Sequence, residues 1–197
     1  MSPVLVAFEG VDASGKSTQA RRIAERHQAL FAFEPGDTEF GVELRRWVLD
    51  GETVMNGPTE ALVMLADRAH HVAQVVGPAL RAGRSVVADR YVASTLAYQG
   101  YGRGVDLAAL RAANDLAVGP YQPTLTILLD VDLGVANERR SGQSRDRFEG
   151  EDSAFFARVR EGYLALAAEG GWALIDGSAG EAQVAREVDE LVADLAW

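Results

Sequence analysis

The stretch Gly10-Val11-Asp12-Ala13-Ser14-Gly15-Lys16-Ser17, continued by Thr18, constrains this chain more than any other part of it. Two glycines with four residues between them precede Lys and Ser, after an apolar run (Val4 to Phe8) and before a segment of helical periodicity. Glycines let the backbone curl until its N–H groups converge on one point. The amino end of the following helix adds the positive end of its dipole. Together they make a cradle for phosphate. Lys16 is suited to neutralising the β- and γ-phosphates of a nucleotide, and the Ser17 hydroxyl to ligating Mg²⁺. Lys16 is also the only lysine in a chain that holds 18 arginines.

The remaining sequence agrees with such a loop. Strands are expected over 4–8, 30–33, 85–89, 124–131 and 172–175. Helices are expected over 16–30, 41–50, 59–81 (with Thr59 as N-cap), 95–98, 106–118, 134–140, 153–168 and 181–195, with a polar loop at 141–152. Strands that alternate with helices imply an α/β fold, with a five-stranded parallel sheet covered by helices on both faces. The chain has 197 residues, 48% hydrophobic and 24% charged, which fits one globular domain over 1–197. It has no cysteine, which excludes disulfides and thiolate nucleophiles. A net charge of −10 argues against nucleic acid or an anionic membrane as partner. No run reaches the roughly 18 apolar residues of a membrane span, and the first residues carry no basic leader, so a cytoplasmic protein is expected. A GTPase needs an Asn-Lys-x-Asp motif, which a chain whose sole lysine is Lys16 cannot contain. A small nucleotide or metabolite kinase remains.

Further blocks narrow the choice. Phe8-Glu9-Gly10, Glu34-Pro35-Gly36, and Asp89-Arg90-Tyr91 followed by Ser94 and Ala97-Tyr98-Gln99-Gly100 resemble bacterial thymidylate kinases, over nearly the whole chain. The resemblance implies a P-loop NTPase fold, transfer of the ATP γ-phosphoryl group to dTMP, a Mg²⁺ requirement and a homodimer. It also implies roles for individual residues. Asp89, with Ser17, would hold the metal. Arg90 would reach the acceptor phosphate, where a guanidinium fork suits a pair of oxygens. Asp12 matches the acid that meets the sugar 3′-hydroxyl, and Tyr98 the ring that crowds the sugar 2′ position. Ser94 belongs to the same block. Arg68, Thr95 and Gln99 match positions at the polar edge of thymine, while Glu34, Pro35 and Arg45 match the lining of the acceptor site. Deoxynucleoside kinases, built on a similar fold, usually carry Ser where this chain has Tyr91. A noncatalytic nucleotide-binding regulator would have no use for the Asp89-Arg90-Tyr91 block or for the arginines between 139 and 147.

Two positions depart from the family pattern. Phe33 stands where an arginine usually precedes Glu-Pro-Gly, and Met64 where a phenylalanine usually stacks on thymine. Arg139, Arg140, Arg145 and Arg147 crowd around the polar loop of an otherwise acidic chain. With no arginine among Val11, Asp12, Ala13 and Ser14, the resemblance implies the subtype in which a mobile lid at about 141–152 delivers catalytic arginines, Arg145 and Arg147. Arg139 would lie along the adenine, and Gly177-Ser178-Ala179 forms the loop on that side. His70 and His71 have no partner at metal-ligand spacing and are expected to be structural.

Overall fold

A computed structural model of the chain describes residues 2–49, 53–140 and 151–197. Five parallel strands, β1 (Leu5–Glu9), β2 (Leu30–Phe33), β3 (Val86–Asp89), β4 (Leu125–Asp130) and β5 (Ala173–Asp176), lie in the order β2-β3-β1-β4-β5. The apolar run of β1 is explained by its central place. Val6 and Phe8 face a core shared with Ile23 of the first helix and Val184 and Val188 of the last. Leu5 and Ala7 face the opposite core, with Val72, Val86 and Tyr91. A strand covered on both faces has no polar side to show.

Helices α1 (Lys16–His27), α2 (Glu39–Leu49), α3 (Gly57–His71), α4 (Gly77–Arg81), α5 (Val92–Thr95), α6 (Leu107–Val118), α7 (Leu133–Arg140), α8 (Ser153–Gly170) and α9 (Glu181–Val192) complete the described elements. Three differ from the sequence expectation for identifiable reasons. α1 ends at His27 because Gln28 turns left-handed (φ 54°) and its N–H caps the carbonyls of Ala24 and Glu25, which frees Leu30 to open β2. α3 is capped by Asn56, not Thr59: Pro58 occupies the first turn, and the Thr59 N–H donates to Asn56 Oδ1 at 2.9 Å. The expected 59–81 helix is interrupted by a π-helical stretch, Val72–Val76, and a second one, Leu96–Gly102, carries the Ala-Tyr-Gln-Gly block directly after α5. A π-turn rotates the following residues out of α-register, a device common at functional sites.

The sheet register sets the site. Phe8 pairs with Asp89, and Phe33 pairs with the same Asp89 from the other side. The loops leaving β1, β3 and β2 therefore emerge side by side at the carboxyl edge, at the point where the connection from β1 runs one way, to β2, and that from β3 the other way, to β4. Residues 141–150 lie outside the described residues, and with them the expectations for Arg145 and Arg147 and for the lid; so does the Arg140 side chain. Among the described residues no helix is long and apolar enough to cross a membrane.

Candidate active site

The loop between β1 and α1 has the geometry its sequence requires. Gly10 adopts φ 143°, and a Cβ there would stand 2.5 Å from the Leu129 carbonyl oxygen, so only glycine fits. Gly15 precedes α1 in a left-handed conformation. Among the described residues no side chain caps the helix, and no acid occupies its first turn, which leaves its amino end open to an anion. Lys16, only 5% exposed, rests against the Val11 carbonyl (3.4 Å) and Asp12 Oδ1 (3.5 Å). Burial, with repulsion from Arg90, holds its ammonium below the ordinary lysine range. A phosphate beside it would relieve that strain. Ser14 Oγ is buried with no hydrogen-bond partner among the described residues. The open side of this loop forms a groove with Thr18, Gln19, Gly177 and Ala179, bordered by Arg139. Arg139 donates to the carbonyls of Gly177 (2.8 Å) and Ala13 (3.3 Å), so it bridges the phosphate loop and the loop after β5.

A second cavity opens at Asp12, beside the phosphate loop. It is lined by Asp12, Glu34, Pro35, Arg45, Leu49, Met64, Arg90, Ser94, Tyr98 and Gln99. Nine of these ten come from the sequence candidates; Leu49 is the addition. Arg90 is its centre. With φ 71° it holds a left-handed conformation that only the surrounding bonds sustain. Its guanidinium donates to the Gly10 carbonyl (3.2 Å), Ser94 Oγ (3.0 Å), the Tyr163 hydroxyl (3.1 Å) and Asp12 Oδ1 (2.5 Å). The Tyr98 hydroxyl donates to Asp12 Oδ2 at 3.3 Å, and the Tyr98 ring lies under the guanidinium, 5.1 Å away. Burial pushes the Tyr98 hydroxyl well up, so it stays neutral and a donor. Arg45 donates to the Pro35 carbonyl at 2.7 Å and crosses Gly36, where a Cβ would stand 2.8 Å from its Cδ. Arg45 and Arg90 thus bring positive charge to a cavity from which Phe33, at the departing position, is absent.

Behind the lining stand two buried polar clusters that the sequence did not announce. Glu9, fully buried, accepts from the Tyr91 N–H (2.8 Å), Ser94 Oγ (2.7 Å) and the Tyr163 hydroxyl (3.2 Å). It anchors the turn that carries Arg90. Burial pushes its carboxyl above the ordinary range. In the second cluster, Arg68 donates to Glu34 Oε2 (2.8 Å), Thr95 Oγ1 (2.6 Å), Asn114 Oδ1 (2.6 Å) and the Tyr91 carbonyl (2.7 Å). Two of the expected residues stand behind the cavity wall. Arg68 and Thr95 are wholly buried and do not line the cavity; Arg68 acts on it through Glu34. His71 bridges Glu34 (2.9 Å) and Asp37 (3.1 Å). Burial opposes its charge, but hydrogen bonds to Asp37 and Glu34 raise it to about 9. Burial would likewise raise Glu34, yet Arg68 and His71 hold it below the ordinary range. Asp67, Arg68 and His71 share one face of α3 with Met64, the one sequence signal that a buried cluster stood there.

Asp89 carries the remaining chemistry. Its Oδ1 is buried without a hydrogen-bond partner among the described residues, and it lies near enough to Lys16 to act on its charge. An anionic oxygen in that state, beside a phosphate cradle, suits a hard divalent cation.

Comparison with known proteins agrees with this geometry. The thymidylate kinase family model matches residues 8–188. A thymidylate kinase of Desulforudis audaxviator is 47% identical over 174 residues, covering 85% of this chain and 79% of that protein. One from Oleidesulfovibrio alaskensis is 41% identical over 208 residues, covering 98% of each. The crystal structure of thymidylate kinase from Ehrlichia chaffeensis superposes with a TM-score of 0.80 at 28% identity, covering 98% of this chain and 99% of that one. With this phosphate loop and with matches that run over nearly its whole length, the chain belongs to the thymidylate kinase family, the phosphotransferases that use ATP to convert dTMP to dTDP.

Proposed function

We propose that the two openings divide the substrates between them. ATP takes the groove over Gly10 to Thr18, with its adenine beside Arg139 and the loop at Gly177. The acceptor dTMP takes the second cavity, with its 5′-phosphate between Arg45 and Arg90 and its base against Met64 and Gln99. Asp12 meets the sugar 3′-hydroxyl and Tyr98 covers its 2′ face. The observation that carries this reading is Arg90. It is bonded to both the phosphate-loop carbonyl of Gly10 and Asp12, so a phosphate it holds lies beside the one Lys16 holds.

Ser17 and Asp89 would hold Mg²⁺, which when bound shields the charge of the transferring phosphoryl group. The protein's own part is positioning and charge: Lys16 on the donor, Arg90 and Arg45 on the acceptor, and Arg145 and Arg147 on the group in flight. Substituting Arg145 and Arg147 singly by Ala is expected to lower kcat at least tenfold in one of the two, with little change in dTMP affinity. In this reading the enzyme works as a homodimer, with the half-exposed Trp47 and the exposed Leu62 of α2 and α3 available for pairing; sedimentation equilibrium tests it. A crystal grown with dTMP and a nonhydrolysable ATP analogue tests the division of sites. The dTMP phosphate is expected between Arg45 and Arg90, and a phosphate bound elsewhere would refute the reading.

A further inference from the structure

Gln99 lines the acceptor cavity and is 1% exposed. Its Nε2 donates to Glu60 Oε1 at 2.8 Å. Glu60, on α3, is itself fully buried, and Arg103 Nε donates to both of its oxygens at 3.2 Å. Arg103 is held in turn by Glu151 at 2.6 Å. An ionised carboxylate only accepts, so the amide of Gln99 must turn its NH₂ end to Glu60. What remains is the carbonyl oxygen, Oε1, buried and without a hydrogen-bond partner among the described residues. A buried acceptor left open in a cavity wall asks for a donor from the ligand.

We propose that Glu60 is a positioning residue for base selection. It dictates which end of the Gln99 amide faces the acceptor, and so requires a base with a ring N–H. Pyrimidines with two keto groups, thymine and uracil, carry hydrogen on N3 and satisfy Oε1. Cytosine presents a bare N3 lone pair and would set two acceptors against each other. The reach of Glu60 is indirect, since the carboxylate never touches the nucleotide. The inference rests on the second cavity being the site of the base.

The swap of one atom tests it. In Glu60→Gln, Arg103 still needs an oxygen at position 60, so the new NH₂ turns to Gln99 and forces that amide to flip. The cavity then meets an N–H where it met an oxygen. The expected result is a fall of about tenfold or more in the preference for dTMP over dCMP, read as the ratio of dissociation constants by calorimetry. Turnover should show it as a raised KM for dTMP with kcat nearly kept, because the contact is made equally in ground and transition states. The double variant Glu60→Gln/Gln99→Glu keeps the parent's charge and again presents an acceptor to the cavity. It should restore the preference, and it tests the idea even if the single variant does not fold. A folded Glu60→Gln with the parental ratio, or a double variant that loses it, overturns the proposal. Gln99→Leu separates the two levels: if it leaves the ratio unchanged, the placement of the base fails, and not the role of Glu60 alone.

Discussion

The phosphate-loop groove, proposed for the donor, and the second cavity, proposed for the acceptor, are built on opposite plans. The groove is made of backbone: N–H groups at the amino end of α1, the carbonyls of Ala13 and Gly177, and glycines at Gly10 and Gly15 that no other residue could replace without strain. The cavity is made of side chains, each held by others behind it. Arg90 is gripped by four groups from three other segments of the chain, and Glu34 is clamped between Arg68 and His71. Phosphates are alike in every nucleotide, so main-chain donors suffice to hold them. A particular base and sugar need a shaped wall, and a shaped polar wall must be fully bonded from behind, or its buried groups cost more than they contribute.

The contrast predicts how each half breaks. Lys16→Ala removes charge from the donor side without removing core. Phosphoryl transfer should fall by about 10²-fold or more while the denaturation midpoint stays near the parent's. Near-normal turnover would show that the phosphates are held elsewhere. Arg68→Ala strikes behind the acceptor wall, where Glu34 would be left as an unpaired buried charge. The expected cost is roughly 3–5 kcal/mol of stability together with weakened dTMP binding, measured by urea unfolding and calorimetry. Loss of dTMP affinity at unchanged stability would place Arg68 on the ligand and return it to the role first read from sequence.

A smaller effect is expected at the sugar. If the Tyr98 ring stands where a 2′-hydroxyl would project, Tyr98→Phe should keep the preference for dTMP over ribothymidine monophosphate. Tyr98→Ala should relax it by roughly 5–150-fold, the cost of burying a hydroxyl without a partner. The comparison of kcat/KM for both nucleotides decides it, and full retention of the preference in Tyr98→Ala would make Tyr98 a packing residue.

The smallest effect is one of pH. His71 is raised in the folded chain to about 9 from an ordinary value of 6.5, so its ion pairs contribute fully below about pH 6.5. That contribution is lost as pH rises through 9. The stability difference between the parent and His71→Gln, followed by denaturant titration, should therefore shrink from pH 6.5 to above 9. A difference that stays constant would mean the ring is neutral throughout.

How legible each half was follows from the same contrast. The donor loop is contiguous: eight neighbouring residues carry its chemistry, and the strand before and helix after them confirm the register. The candidates for the second cavity were reached through resemblance, and nine of the ten residues that line it are among them. The supports were missed. Glu9 reads as one acid at the end of an apolar strand, and His71 as a helix residue with no partner in sight. Their partners, Tyr163 for the one and Glu34 for the other, are 154 and 37 positions distant.

The sequence by itself determined what depends on neighbours along the chain: the alternation of strands and helices, the two-sided burial of β1, the phosphate cradle and the identity of its lysine. Tertiary structure alone decided which of the matched residues line the second cavity. Arg68 and Thr95 carry the right chemistry at the right spacing, but the fold turns them inward to satisfy Glu34, Tyr91 and Asn114. It turns the amide of Gln99 by means of Glu60. The reason is that a buried polar group must be bonded wherever the chain brings it, and the partner it finds is set by the packing of distant elements, which no local pattern records.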